Sequence, residues 1–189
     1  MTRIIGGIAG SLRLASPAKA TRPTSDRIRE SIFSRLESRN ILENAAVLDL
    51  YAGTGALALE AASRGASPVV LVDKDGKAAA VCKQNALQIE KALAKEGFEL
   101  EFKVQHQAVA AHLASASGEF DLVFIDPPYE VPNVDVESNL TALSSLLSKG
   151  ACVVVERSSR GEKLQLPAGY MLEEIKNYGD TDVYWLSSE

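Results

Sequence analysis

The pattern of hydrophobic segments predicts an α/β fold with a mixed, mostly parallel sheet. The apolar run at residues 122–125 has no polar face, and residues 68–73 are apolar up to the acid that ends them; both patterns are typical of strands buried on both sides in a parallel sheet. Helical patterns separate such runs along the chain, as in βαβ units. Near the end, residues 170–178 and 181–186 are joined across Gly179-Asp180 and predict an antiparallel hairpin.

Length and composition are those of an ordinary globular domain. The chain has 189 residues, 46% of them hydrophobic, which predicts one domain with a substantial core. No apolar run reaches the ~18 residues that a membrane span needs, and the first residues lack a signal peptide's apolar core. We therefore expect a cytoplasmic protein with no membrane partner. Cys82 and Cys152 lack metal-ligand spacing, and the histidines are only two, so we expect no metal site.

Charge is distributed unevenly along the chain. The net charge of −5 conceals a basic segment: residues 1–40 carry eight basic and three acidic side chains, a net +5, which leaves −10 for the remainder. A basic segment on an acidic body is typical of a protein that meets a polyanion at one end only. The basic residues expected to contact such a polyanion are Arg3, Arg13, Arg22, Arg27 and Arg29.

Residues 1–23 predict a small basic arm ahead of a main domain at residues 24–189. Residues 3–14 contain two short apolar stretches separated by glycines, a pattern that indicates a marginal hairpin. Residues 15–23 predict a loop. An amphipathic helix then follows Thr24 or Ser25, either of which can be its N-cap, and Arg29 is expected outside its apolar stripe.

A glycine turn between a strand and a helix predicts a ligand site. An apolar strand ends near Tyr51, Gly53 and Gly55 follow, and a helix starts at about Ala56. Glycines at this position let a ligand approach the backbone at a helix N-terminus.

The glycine turn fits two classes of cofactor. Gly53-x-Gly55-x-x-Ala58, with Asp73 twenty residues after Gly53, matches the fingerprint of dinucleotide-binding dehydrogenases. Asp49, however, lies at the end of the preceding strand, where a carboxylate suits a cationic amino-acid group better than a pyrophosphate. In either case Asp73 ends the second buried strand and could accept hydrogen bonds from both ribose hydroxyls.

The remaining segments continue the alternation of strands and helices. Residues 75–96 predict a long helix stopped by Gly97, and residues 98–104 alternate as a strand with one wet face, near a sheet edge. The loop at residues 105–108 contains no acid. A helix around residues 136–147 leads to a buried strand at 151–156.

The segment Asp126-Pro127-Pro128-Tyr129 carries the most specific chemistry. It follows a buried strand, and its two prolines end that strand as a rigid turn at the carboxyl edge of the sheet, where open α/β sheets bind ligands. The Asp126 carboxylate and the Pro127 carbonyl can only accept hydrogen bonds, so together they would hold a planar –NH2 group. Tyr129 offers a ring face on which a heterocycle can stack. This group has no role in hydride transfer, which weighs against a dehydrogenase.

Three motifs resemble those of methyltransferases. Asp126-Pro127-Pro128-Tyr129 resembles the [Asn/Asp]-Pro-Pro-[Tyr/Phe] signature of S-adenosylmethionine-dependent amino-methyltransferases, and Asp49-x-x-x-Gly53-x-Gly55 resembles the class I cofactor motif. Residues 21–33 resemble the Arg-Pro-Thr-x-Asp-x-x-Arg-Glu-x-x-Phe segment of the RsmD family of ribosomal RNA guanine-N2 methyltransferases. With the Arg-Ile-Ile-Gly-Gly start and Tyr178-Gly-x-Thr181, the resemblance spans nearly the whole chain.

The resemblance implies a class I methyltransferase fold, a Rossmann-like, seven-stranded mixed sheet with helices on both faces. It implies methylation of the exocyclic N2 amine of a guanine, at a 966-type position of 16S ribosomal RNA in the small subunit or a late precursor, by a protein expected to be a monomer. The implied catalytic residues are Asp126, Pro127, Pro128 and Tyr129. The implied contacts to S-adenosylmethionine are Thr24, Asp49, Ala52, Gly53, Gly55, Asp73, Lys74, Gln107, Ala108 and Asp126. Many methyltransferases place an acid at residues 105–108 against the adenine amine; because this chain has none, the backbone, His106 or Gln107 is expected there.

Three other functions stay open from the sequence. A DNA adenine-N6 methyltransferase uses the same Pro-Pro-Tyr chemistry, but usually carries a larger recognition domain than 189 residues allow. A protein-glutamine methyltransferase would not need a basic arm, and a non-catalytic RNA-binding assembly factor would not need Asp126.

Overall fold

A computed structural model describes residues 2–16 and 25–189 of the chain. The helices in this part are α1 (Asp26–Ser38), α2 (Ala56–Ser63), α3 (Gly76–Lys95), α4 (Val109–Ser115) and α5 (Asn133–Leu143), the last followed by a 3₁₀ turn at Ser144–Leu146. The strands are β1 (Val47–Leu50), β2 (Val69–Asp73), β3 (Phe102–His106), β4 (Phe120–Ile125), β5 (Leu147–Ser158), β6 (Tyr170–Tyr178) and β7 (Thr181–Ser188).

These seven strands form one sheet in the order β3-β2-β1-β4-β5-β7-β6. Strands β1 to β5 are parallel to one another, whereas β7 is antiparallel to both β5 and β6. The chain runs outward from β1 to β2 and β3 and then returns to place β4 on the other side of β1. Strands β1 and β4 therefore flank the topological switch point, where open α/β sheets bind ligands. The arrangement confirms the predicted mixed sheet and its terminal hairpin.

Helices cover both faces of the sheet, as the resemblance implies. Helices α1, α2 and α3 pack on one face around Phe33, Phe124 and Trp185, all fully buried. Helices α4 and α5 pack on the other face against Val123 and Val155. Since both faces of β1 and β4 are dry, these strands are continuous apolar runs rather than alternating ones.

The described part of the N-terminal arm packs against the main domain. Its two ends meet in one antiparallel bridge between Arg3 and Arg13, a shorter pairing than the predicted hairpin. Its apolar side chains join the core, namely Ile4, Ala9 and Leu14. The arm is thus continuous with the hydrophobic interior of the domain.

A buried carboxylate of α2 holds the arm in place. Glu60 accepts hydrogen bonds from the backbone N–H groups of Ile5 and Gly6 at 2.6 and 2.8 Å, and it is paired with Arg64. Its side chain is fully buried, so each of these donors replaces water that the charge has lost. No pattern in the sequence predicts this role for Glu60.

Asn85 of α3 anchors the other end of the arm. Its side-chain oxygen accepts from the Ala15 N–H at 2.8 Å, and its amide nitrogen donates to the carbonyls of Ala15 and Thr54, both at 3.0 Å. The prediction that this residue lies within a helix is confirmed. One buried amide thereby joins the arm to the glycine turn after β1.

Three segments differ from the sequence prediction. Strand β3 begins at Phe102 rather than at residue 98, because the residues after Gly97 remain mostly exposed and pairing with β2 starts only opposite Val69. Helix α4 is missing from the prediction, since its seven residues include three alanines and show little apolar periodicity. Helix α5 ends at Leu143, and the residues predicted to continue it form the 3₁₀ turn and the start of β5.

Candidate active site and cofactor pocket

Three strand ends meet at one edge of the sheet. Leu50 of β1 lies beside Val72 of β2 and Ile125 of β4 in the parallel register. The residues that end or follow these strands, Asp73 and Asp126, are therefore neighbours of the glycine turn. The Asp126 N–H donates to the Leu50 carbonyl at 3.5 Å, which ties the Asp-Pro-Pro-Tyr segment to the end of β1.

The two glycines of the turn have different tasks. Both have positive φ angles, 56° at Gly53 and 80° at Gly55, which favour glycine. A Cβ at Gly55 would lie 3.0 Å from both Cys82 Sγ and Leu71 Cδ2, so this glycine lets α2 start close against the core. At Gly53 no atom would lie closer than 4.0 Å, so its surface is open to an approaching ligand.

Asp73 joins the end of β2 to the glycine turn. Its Oδ2 accepts from the Gly53 N–H and its Oδ1 from the Asp75 N–H, each at 2.8 Å. A carboxylate offers about four acceptor positions, so both oxygens retain capacity for further donors. The geometry suits an acceptor for two vicinal hydroxyl groups beside the turn.

Asp49 is a buried carboxyl group close to Asp73 and Asp126 at the pocket edge of the sheet. Its carboxylate is almost fully buried and accepts from the Ala58 N–H in the first turn of α2 at 3.2 Å. Burial raises the pKa of Asp49 well above its usual range; the Ala58 hydrogen bond opposes this, and the charges of Asp126 and Asp73 add to it. Three mutually repelling carboxylates at one sheet edge favour a cationic ligand.

The Asp-Pro-Pro-Tyr segment leaves the sheet as a rigid turn, as predicted. Pro127 is buried, whereas Pro128 is exposed and its carbonyl accepts from the Val131 N–H at 3.0 Å. The Tyr129 side chain is 54% exposed, which is unusual for a tyrosine directly after a central strand. Its ring is therefore available for stacking.

Arg157 fixes the loop that follows this segment. It lies near the end of β5, donates from Nε to Asn133 Oδ1 at 2.9 Å, and donates from Nη2 to the Val131 carbonyl at 2.8 Å. Its Nη1 is buried without a hydrogen-bond partner among the described residues, and burial lowers the pKa of the guanidinium. Arg157 is absent from the residues predicted above, because an arginine after an apolar strand carries no local signal of its partners.

Tyr51 adds a second polar contact behind the same loop. It has a positive φ of 65°, which is rare for a non-glycine residue, and its hydroxyl accepts from the Asn139 amide of α5 at 2.7 Å. A strained backbone of this kind persists only where its surroundings hold it. Tyr51 and Asn139 thus link the turn after β1 to α5.

In the loop predicted to contact adenine, the side chains of His106 and Gln107 are engaged in contacts within the protein. The Gln107 side chain donates to His112 Nδ1 at 2.7 Å, and the His106 Nε2 lies 3.2 Å from the Lys74 carbonyl. Ala108 is the N-cap of α4, and the first N–H groups of a helix have no partner within it. The backbone near Ala108 is therefore the better candidate for adenine than the engaged side chains of His106 and Gln107.

The comparison with known proteins decides between the two classes of cofactor. Residues 2–187 match the model of a protein family described as "Conserved hypothetical protein 95". The chain belongs to this family. It is 30% identical over 178 residues to ribosomal RNA small subunit methyltransferase D of Escherichia coli K12, covering 94% of this chain and 85% of that protein. The protein of the same name in Haemophilus influenzae is 29% identical over 94% of this chain and 89% of its own length.

A solved structure agrees with this assignment. A hypothetical protein from Thermus thermophilus superposes with a TM-score of 0.76 at 31% identity, covering 98% of both chains. The chain is thus an RsmD-type, class I S-adenosylmethionine-dependent methyltransferase by family and by fold. The family and the fold therefore favour the methyltransferase interpretation of the Gly53-x-Gly55-x-x-Ala58 motif over the dehydrogenase interpretation.

The basic residues of this RsmD-type protein fall into three groups. Arg3, Arg13 and Arg27 are exposed. Arg22 lies outside the described residues, as does Thr24, and Ser25 is the N-cap of α1. Arg29 differs from expectation: it is fully buried and donates to the Arg3 carbonyl at 2.9 Å, so it supports the arm from inside.

Two further features of this methyltransferase concern membranes and metal ions. Across residues 2–16 and 25–189, no helix is long and apolar enough to cross a bilayer. Over the same ranges, no cluster of three or more His, Cys, Asp or Glu side chains is placed to hold a metal ion.

Proposed function

We propose that this protein transfers a methyl group from S-adenosylmethionine to the exocyclic N2 amine of a guanine in 16S ribosomal RNA, at a 966-type position of the small subunit or a late precursor. The observation that carries the proposal is the meeting of the anionic pocket and the Asp126–Tyr129 segment at one sheet edge. Relatives named ribosomal RNA small subunit methyltransferase D support the RNA class of the substrate.

The residues of the pocket fit S-adenosylmethionine. This cofactor supplies an electrophilic methyl group on a positively charged sulfonium. Asp49 and its neighbouring carboxylates provide the negative field for its cationic groups, and Asp73 provides acceptors for ribose hydroxyls. Ala52 and Gly53 line the open side of the glycine turn, and Lys74 and Ala108 belong to the loops beside it.

The Asp126–Tyr129 segment would hold and orient the amine. The Asp126 carboxylate and the Pro127 carbonyl accept hydrogen bonds from the two amine hydrogens, which draws the nitrogen lone pair out of conjugation with the ring. Tyr129 stacks on the base, a contact worth ~1–3 kcal/mol. Pro128 fixes the turn between them. Catalysis then comes from positioning and electrostatics, without a covalent nucleophile.

A guanine within structured RNA has to leave its stack to reach Tyr129. The exposed basic residues of the arm would hold the surrounding RNA through its phosphates, which carry no base information. We therefore assign specificity for the base to the Asp126–Tyr129 segment and affinity for RNA to the arm.

The test is methylation of small ribosomal subunits from a strain that lacks this protein. Subunits are incubated with the protein and labelled S-adenosylmethionine, and the RNA is digested to nucleosides for mass spectrometry. We expect N2-methylguanosine from the wild type and none from Asp126→Ala, with the affinity for S-adenosylhomocysteine nearly unchanged in the variant. N6-methyladenosine, a methylated glutamine in a protein, or RNA binding without any methylated product would each replace the proposal by a different function.

A further inference from the structure

One face of α3 is exposed and rich in lysine. Its members recur at helical spacing, which places them on one side of the helix: Lys77, Ala80, Lys83, Gln84, Leu87, Gln88, Lys91 and Lys95. All are exposed, and none of the four lysines has an ion-pair partner among the described residues. We name this surface the α3 lysine face. It is notable on a chain whose net charge is −5.

Shallow depressions separate the side chains of the α3 lysine face. A groove of about 520 Å³ is lined by Ala80, Lys83, Gln84, Leu87, Gln88 and Lys91. The acid of α3, Glu90, does not line it. Leu87, one of these residues, is 47% exposed, so the groove combines cationic and apolar side chains. That combination suits a ribose-phosphate chain, whose sugars are less polar than its phosphates.

A second groove joins this face to the arm. It has a volume of about 470 Å³ and is lined by Arg13, Leu14, Ala15, Ser16 and again Gln88. Gln88 lines both grooves, so they adjoin between α3 and Arg13. Asn85 on the buried side of α3 holds Ala15 in place beneath it.

The arm presents two like charges side by side where this surface ends. Arg3 and Arg13 form a directly opposed antiparallel pair, and the flanking bonds, from Ile4 N–H to the Leu12 carbonyl and from Leu14 N–H to the Thr2 carbonyl, mark it as a non-hydrogen-bonded pair. In such a pair both side chains project from the same face and lie close together. Like charges placed in this way destabilise a pairing unless an anion lies between them.

We propose that the α3 lysine face, continued by Arg13 and Arg3, binds the phosphates of the RNA strand next to the target base. Helix α3 begins directly after Asp73 and Asp75, at the pocket edge of the sheet, so the row of lysines leads away from the site of methyl transfer. The inference deepens the proposed function and rests on it. Its new element is a footprint on the main domain, which extends the RNA contact beyond the arm.

The salt dependence of RNA binding measures this footprint. Each phosphate that a lysine neutralises contributes about 0.7 to 0.9 to the slope of log affinity against log salt. Loss of two contacts should therefore flatten the slope by about 1.5, so that between 50 and 200 mM salt the variant loses about 8-fold less affinity than the wild type. Binding of the cofactor should not change, because Lys83 and Lys91 lie about two and about four turns from the start of α3.

The experiment compares three double variants with the wild type in filter binding to small ribosomal subunits across a salt series. Lys83→Gln/Lys91→Gln tests the α3 lysine face, and Arg3→Gln/Arg13→Gln tests the arm. Lys103→Gln/Lys149→Gln is the matched control, since it removes the same charge from exposed positions near the amino ends of β3 and β5, at the opposite edge of the sheet.

Flatter slopes for the first two variants and an unchanged slope for the control would support the inference. An unchanged slope for Lys83→Gln/Lys91→Gln, or equal flattening in the control, would overturn it while leaving the proposed function intact. Methylation of the same subunits is followed in parallel, because a wild type that binds no RNA and methylates none would overturn the proposed function itself. Calorimetry with S-adenosylhomocysteine verifies that each variant is folded.

Discussion

The proposed hydrogen bonds from the cofactor ribose to Asp73 can be tested by replacing the carboxylate with an amide, first at Asp73 and then, as a control, at Asp75. Asp73→Asn removes the negative charge but keeps one oxygen that can still accept from the Gly53 N–H. If the carboxylate also accepts from the ribose, charge-assisted hydrogen bonds worth roughly 1.5–3 kcal/mol are weakened, and the affinity for S-adenosylhomocysteine should fall about 10- to 150-fold. Isothermal titration calorimetry at fixed salt gives the dissociation constant directly.

Asp75 provides the control for this measurement. It lies two residues away, is exposed, and caps α3 by accepting from the N–H groups of Lys77 and Ala78. Because asparagine is as good an N-cap as aspartate, Asp75→Asn removes the same charge with little effect on the helix. A loss in Asp75→Asn as large as that in Asp73→Asn would mean that general electrostatics is responsible, and no loss in Asp73→Asn would refute the ribose contact.

Three more outcomes are expected. Tyr129→Phe should retain most of the kcat/KM for subunit methylation, whereas Tyr129→Ala should lose about 5- to 150-fold, since the ring face is what stacks; equal losses would contradict this. Because burial raises the pKa of Asp49, the free energy of unfolding of the cofactor-free protein should fall as the pH rises from about 4 through that raised pKa. Asp49→Asn should remove this fall and raise the Tm at neutral pH, which thermal melts across a pH series would measure. The same variant should bind the cofactor more weakly. Arg157→Lys should lower kcat about 10- to 100-fold and leave S-adenosylhomocysteine affinity within about twofold. The reason is that lysine cannot donate hydrogen bonds to Asn133 and to the Val131 carbonyl at the same time. A parallel loss of cofactor affinity would show that Arg157 supports the whole fold.

The fold and the outline of the pocket could be predicted because their signals are local. Continuous apolar runs identify β2 and β4. The prolines after Asp126 mark the end of β4, and the glycines after Asp49 mark the end of β1. In a parallel sheet, strand ends share one edge, so the meeting of these segments follows from their order along the chain.

The contacts that hold the arm and the loop after the Asp-Pro-Pro-Tyr segment could not be predicted, because they join distant parts of the chain. Glu60 contacts backbone groups that lie 54 and 55 residues away along the chain. Arg157 contacts two residues that lie 24 and 26 residues away. No local sequence pattern predicts either set of contacts. The prediction that Arg29 lies outside the apolar stripe of α1 was wrong for a different reason. It lies three and four residues before Ile32 and Phe33, on the buried side of α1, where the arm covers it and its guanidinium meets a backbone carbonyl.

The position of Asn85 has a consequence for how the two ligands of this protein act on each other. The same amide holds Ala15, at the edge of the groove proposed to face RNA, and Thr54, within the turn proposed to border the cofactor. If RNA binds there as proposed and displaces Ala15, the restraint on Thr54 would change, and a cofactor that displaced Thr54 would likewise change the restraint on Ala15. Reciprocity then requires that RNA and cofactor change each other's affinity by the same factor, so substitution of Asn85 would uncouple them in both directions at once.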